Sequence, residues 1–248
     1  MRGSSWFPLT LGLIASCAQH SPVSWIQPAT AQWQGAVARL DLLRSSVPTT
    51  PYVATIATML RDPKSGRWID ARGAMAVAPG RAVRMILIGG AGATVLDAWV
   101  TREQWRVAVP PLQIVRRGGA DDPMGLPVGF LRWRFVLPFA GSAFAAATGP
   151  DGDRFLLRDG STIVDLRLAR CDEGHKRSIT ATRRAHGRVE EMDECEAMNS
   201  SPGSAAGDHV QYADETTGLR VKVDVESVGA TGPTPEAFED PDRDRGGT

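Results

Sequence analysis

Hydrophobic and polar residues alternate most cleanly late in this chain. Leu219, Val221, Val223 and Val225 are interleaved with Arg220, Lys222, Asp224 and Glu226, the pattern of a strand with one buried and one wet face. A different period governs residues 30–44: Trp33, Ala36, Val37, Leu40 and Leu43 share one helical face, while Gln34, Arg39, Asp41 and Arg44 fall elsewhere. Thr30 offers an N-cap hydroxyl to that helix, and Pro48 and Pro51 require it to have ended. From residue 52 the punctuation is that of strands and turns. Residues 52–61 and 67–77 flank the turn cluster Asp62-Pro63-Lys64-Ser65-Gly66, and Pro79-Gly80 leads into residues 82–88. Gly89-Gly90-Ala91-Gly92, residues 94–100 and residues 105–109 follow, up to Pro110-Pro111. Strands in sequence with short turns between them predict an antiparallel meander rather than alternating α/β units.

Residues 112–125 read as turns. Residues 126–139 form the most apolar stretch, with Arg132 and Arg134 alternating with Trp133 and Phe135 between Pro127 and Pro138. Its period does not separate helix from strand. It is either a core segment or a movable cover over an apolar cavity, since so apolar a stretch needs burial or a ligand. Strands resume at residues 154–158 and 162–168 around Asp159-Gly160, and residues 178–183 and 187–192 pair around His186. Beyond Gly229 the chain is Pro, Gly, Asp and Glu with little to bury, so residues 229–248 are expected to be disordered. The fold class is therefore mainly β (α+β), one antiparallel sheet with an N-terminal helix and a helical or irregular cover.

Composition removes several functions. Lys and Arg number 28, as do Asp and Glu, so no net field attracts nucleic acid. The Gly89–Gly92 run lacks the Lys-Ser/Thr ending of a P-loop, and no predicted helix follows it, so a hairpin turn or bulge explains it. There is no Gly-x-Ser-x-Gly elbow and no His-Glu-x-x-His, which argues against a hydrolase. No cofactor is implied.

The cysteines say more. Cys17 ends the run Leu13-Ile14-Ala15-Ser16-Cys17 after a short apolar stretch and Arg2. This is the pattern cut by bacterial lipoprotein signal peptidase, which leaves Cys17 as a lipidated N-terminus. The apolar stretch falls short of the roughly 20 residues a spanning helix needs. Residues 1–16 are thus read as a signal peptide, 17–29 as a tether and 30–228 as the folded domain. Ala18 after the cysteine favours the periplasmic face of the outer membrane. An exported compartment is oxidising, so Cys171 and Cys195 are expected to form a disulfide closing 23 intervening residues. That bond contributes about 3 kcal/mol by chain-entropy arguments. His175 and His186 lie between these cysteines, but gaps of three, ten and eight residues depart from the tight pairs of zinc sites, so no metal is assigned.

The order of these elements behind a lipoprotein signal resembles the LolA/LolB-like lipoprotein-carrier superfamily. The likeness is carried by residues 52–60, Arg72-Gly73, residues 84–88 with the glycine run to Ala93, residues 96–100, and residues 212–225. It implies a strongly curved sheet forming an incomplete barrel, helices over its open side, and an apolar cavity holding acyl chains. On that implication Trp99, Trp105, Phe130, Trp133 and Phe135 are candidate lining residues, with core packing as the alternative. In LolB members a loop early in the sheet projects a leucine that helps place cargo into the membrane, whereas the matching loop here, Gly89 to Ala93, has no large apolar residue. This argues against an insertion step and leaves binding of lipid acyl chains or a lipidated protein. An envelope scaffold or regulatory protein-binding module is the competing function.

Replacing Cys17 with serine should leave the domain folded and shift the protein from the membrane to the soluble fraction. Fractionation of cells expressing Cys17→Ser checks this, and persistence in the membrane pellet contradicts it.

Overall fold

A computed structural model of the chain describes residues 24–120, 122, 127–150, 152–169, 175–185, 188–197 and 206–242. Helix α1 (Ala31–Ser45) begins where Thr30 accepts the Trp33 backbone N–H on its hydroxyl at 3.1 Å, and it buries Ala36, Leu40 and Leu43. The first meander comprises β1 (Tyr52–Arg61), β2 (Trp68–Ala78), β3 (Ala82–Ile88), β4 (Thr94–Thr101), β5 (Gln104–Val109) and β6 (Ile114–Gly119). The second comprises β7 (Ser142–Gly149), β8 (Gly152–Asp159), β9 (Thr162–Ala169), β10 (His175–Ala185), β11 (Arg188–Ala197), β12 (His209–Asp214) and β13 (Leu219–Val228). Between them lie helix α2 (Val128–Leu131) and a π-helical turn, Arg132–Val136.

Among the described residues the thirteen strands form one antiparallel sheet, ordered β6-β5-β4-β3-β2-β1-β13-β12-β11-β10-β9-β8-β7. Every neighbour is also a neighbour in sequence except β1 and β13, whose pairing joins the two meanders, with Thr58 opposite Val223 and Leu60 opposite Val221. Strands β6 and β7 are the two edges, so the sheet is not closed and the expected incomplete barrel is observed. Helix α1 packs beside β7, and Arg39 reaches Asp153 at the β7–β8 turn with a 2.7 Å hydrogen bond.

Alternation assigns the two faces. Ile56 on β1, Met75 on β2, Met85 and Leu87 on β3, Ala98 on β4, Leu166 on β9 and Val223 on β13 join one buried cluster on the inner face. Their sequence neighbours, such as Thr55, Ala74 and Asp224, point outward and are exposed. Gly73 marks a point of close approach: a Cβ there would stand 1.9 Å from the Ile86 carbonyl oxygen, so β2 and β3 come together in a way only glycine permits.

Three strands, β6, β7 and β12, lie where the sequence reading places none. Strand β6 contains Arg116-Arg117-Gly118-Gly119, and β7 is largely alanine, so neither has the β-branched composition that signals a strand. Both exist because a neighbour supplies a ladder, β5 for the first and β8 for the second. The C-terminal segment also differs from expectation. Residues 229–242 lie against the sheet as a strap that includes a short 3-10 turn, Pro235–Phe238, adjoining β2 and β3.

Gly73→Ala should destabilise the protein by about 2 kcal/mol, the usual scale for forcing a methyl group into filled space. Urea unfolding checks this as a lowered midpoint at unchanged slope.

Candidate functional site

The inner face of the half-barrel is where the sequence resemblance places a ligand. Residues 127–136 occupy part of it, and all ten are buried. The segment is helical because Leu131 N–H bonds back to the Pro127 carbonyl at 2.8 Å, and it ends because Pro138 cannot continue it. Its last bond, Leu137 N–H to the Arg132 carbonyl at 2.8 Å, spans five residues and gives the π geometry. Phe130, Leu131, Trp133, Phe135 and Val136 all join the buried cluster of the inner face. Phe130 stands edge-on to Phe135 at 5.8 Å between centroids, and both Phe130 and Trp133 contact the Tyr212 ring at 5.7 and 6.5 Å. This segment is the cover.

Polar anchors hold it. Gly80 N–H donates to the Phe135 carbonyl at 3.0 Å. The Arg132 guanidinium donates to the backbone carbonyls of Thr101 and Ala120 at 3.2 and 2.9 Å. Arg134 pairs with Glu194 of β11, and both side chains are buried. Burial works against the Arg134 charge, but Glu194 together with Tyr52 and Asp208 outweighs it and holds the guanidinium more firmly protonated than an ordinary arginine. On the same face of β11, Glu190 accepts the Tyr212 hydroxyl and the Arg183 guanidinium, both at 2.8 Å. Gly129 of the cover lies against this carboxylate: a Cβ there would meet Glu190 Oε1 at 2.6 Å and the Tyr212 hydroxyl at 2.7 Å.

The candidate lining residues separate into two groups. Trp105, Phe130, Trp133 and Phe135 are buried in the inner cluster. Trp99 is not among them, because Leu96, Ala98 and Val100 of β4 point inward and the residue between points outward. Its indole N–H donates to the Phe238 carbonyl of the strap at 2.9 Å. Of the five, Trp133 alone borders a described opening, one of about 20 Å³ that it shares with Leu137 and Arg183. An open, mainly apolar groove of about 950 Å³ lies instead on the outer face of β1, β2 and β3, among Ala57, Met59, Ala74, Ile86 and Ile88. Cys17 and Cys171 fall outside the described residues, as does His186; the backbone of Cys195 sits on β11 opposite Ser178 and His209. Among the described residues no three His, Cys, Asp or Glu side chains gather as a metal-holding group.

Sequence reasoning missed Arg134, Arg183, Glu190 and Glu194. The inward positions of β11 read Glu190, Met192, Glu194, and the outward ones Glu191 and Asp193, so no contrast of polarity reveals which face is buried. The strap was equally hidden. Arg106 binds Asp242 at 2.7 Å and Asp97 at 3.3 Å, while Arg117 binds Asp240 at 2.7 Å and also Asp242. These pairs explain why so acidic a segment lies against the sheet.

The architecture is thus that of an open antiparallel half-barrel with an inserted helical cover. No protein-family profile matches the chain, and no curated protein matches it. Solved structures similar to it include a LolA superfamily protein from Nitrosomonas europaea, 8% identical with a TM-score of 0.42, covering 83% of this chain and 97% of that one. Another is a domain from Vibrio parahaemolyticus described as outer membrane lipoprotein-sorting, 10% identical with a TM-score of 0.41, covering 83% and 97%. A third is an uncharacterized conserved protein from Thermus thermophilus, 12% identical with a TM-score of 0.40, covering 85% and 96%.

The Arg106 and Arg117 guanidiniums hold the Asp242 carboxyl down at about 2, from an ordinary 3.8. A carboxyl depressed on folding stabilises above its unfolded value, and that contribution is lost as pH falls toward the folded one. The stability difference between wild type and Asp242→Asn should therefore be constant above about pH 5 and shrink between about pH 4 and 2. Urea unfolding across that range checks it.

Proposed function

We propose that this protein is a non-catalytic bacterial envelope lipoprotein that binds lipid acyl chains, or a lipidated protein, on the inner face of its half-barrel. It serves lipid or lipoprotein trafficking at the periplasmic face of the outer membrane. The observation that carries this reading is the way the inner face is covered: one short helical segment, residues 127–136, does what a second sheet does in a sandwich. Burying its large apolar side chains stabilises the closed state by about 1.5–3 kcal/mol each. A ligand replaces the cover only if it brings comparable apolar area. Long acyl chains do so, at about 0.8 kcal/mol per methylene.

In this proposal the cover moves aside from the inner face. Trp105 remains on the wall, while Phe130, Trp133 and Phe135 close over the chains from the other side. Lipidated Cys17 keeps the cavity within tether reach of the bilayer, and a Cys171–Cys195 disulfide staples the second meander. Among the described residues no helix is long and apolar enough to cross a membrane, so the anchor in this reading is the acyl groups on Cys17. The order of elements that resembles LolA/LolB-like carriers supports the same assignment.

A second reading has one observation in its favour. The side chains of the cover already fill part of the inner face, as they would in an envelope scaffold that binds protein partners elsewhere.

Native mass spectrometry of the full chain, released gently from membranes, should show co-purifying phospholipid or fatty acyl adducts. An invariably empty protein that also fails to take up added palmitic acid would favour the scaffold.

A further inference from the structure

The chain ahead of α1 is already held to the sheet at Ile26. Strand β7 is an edge, and its Ala146 carbonyl accepts the Ile26 N–H at 2.8 Å, while the Ile26 side chain packs against the inner cluster. Cys17 stands seven residues before Ser24, where the described chain begins, and even fully extended those residues span at most about 25 Å. A lipid group on Cys17 therefore keeps the β7 edge close to the bilayer.

The surface beside that point has a particular chemistry. Phe155 and Leu157 of β8 point into the core, so Arg154, Leu156 and Arg158 point outward. The Arg154 guanidinium lies 5.2 Å from the centroid of the Trp25 ring, and the Arg158 guanidinium 4.8 Å from that of Phe144 on β7. Four residues of strand place the two arginines about 13 Å apart on one face. Trp25 and Phe144 remain 42% and 39% exposed, although both are large and apolar. Asp165 takes up the Arg154 charge through hydrogen bonds of 2.8 and 2.6 Å, whereas among the described residues no carboxylate pairs with Arg158.

An exposed ring with an arginine on its face suits the boundary between lipid head groups and acyl chains, where the ring meets apolar material and the guanidinium meets phosphate. Equal counts of acidic and basic residues give no long-range attraction to a membrane, and none is needed where an anchor supplies proximity. We infer that the outer face of β7 and β8 lies on the bilayer, with Trp25 and Phe144 entering that boundary and Arg158 meeting the phosphate of an anionic lipid. This rests on the lipidation of Cys17 in the reading above, and it gives the anchored domain an orientation.

The test uses the full chain purified from membranes and reconstituted into vesicles of phosphatidylethanolamine and phosphatidylglycerol, with lipids brominated high on the acyl chain to quench any tryptophan at the boundary. Wild-type fluorescence should be quenched. Trp25→Phe should remove most of that quenching, whereas Trp68→Phe, at a tryptophan 40% exposed on β2, should leave it unchanged. Arg158→Gln should shift the ratio of docked to free orientations about fivefold toward free, read as lost quenching, and Arg158→Lys should restore it. Vesicle-bound wild type without quenching overturns the inference while leaving the anchor intact, and so does quenching that survives Trp25→Phe or is unchanged in Arg158→Gln. If wild type carries no lipid group and does not sediment with vesicles, the lipoprotein reading itself fails and the inference falls with it.

Discussion

An open antiparallel sheet with an apolar concave face has to bury that face on something, and the something must satisfy its own backbone. In this protein the covering falls to residues 127–136, and much of the interior is arranged around them. A helical segment satisfies its backbone internally, which is why this stretch is helical although the elements around it are strands. Its shortness, set by the flanking prolines, leaves helix ends inside the protein. The Gly80 N–H meets the Phe135 carbonyl near one end, and the segment's own Arg132 side chain ties it to the Thr101 and Ala120 carbonyls. Gly129 lets the segment approach Glu190 and Tyr212 more closely than any side chain would allow.

Polarity inside the half-barrel follows from the same constraint. Arg134 cannot be buried without a counter-charge, and Glu194 provides one from the wall. A buried pair of this kind adds little stability over apolar packing, but breaking it by removing one partner typically costs about 3–5 kcal/mol. It therefore fixes where the cover sits more than it strengthens the fold. Glu190, with Arg183 and Tyr212, keeps a second charge neutral within the sheet, so the wall at that point does not depend on the cover.

The outer face is organised by charge. Arg84, Asp97, Arg106, Asp242, Arg117 and Asp240 form a continuous alternation of opposite signs across β3, β4, β5, β6 and the strap. Trp99 is buried although it points outward, because the strap carries Phe238 over it. An equal count of acidic and basic residues says nothing of such pairing, since the strap's aspartates lie more than a hundred residues from the arginines they meet. That distance is why a segment poor in apolar residues reads as disordered until the arginines it meets are known.

Local physics was enough for much of the rest. Thr30 and the 3.6-residue stripe after it specified α1, and period-two alternation with Gly, Pro and Asp turns specified the β1–β5 meander and β13 within a residue or two. Alternation could also have placed Trp99 on the outer face, since Ala98 and Val100 flank it. What local pattern could not supply were strands made by their partners, such as alanine-rich β7, and the inward acids of β11, whose neighbours are equally polar. The sequence by itself determined the antiparallel meander and the apolar segment that interrupts it, because periodicity and turn chemistry act over a few residues. Only the tertiary structure decided that this segment lies inside the half-barrel with Arg134 against Glu194, and that the acidic strap lies outside it, because those choices depend on charges and surfaces that meet only once the sheet has formed.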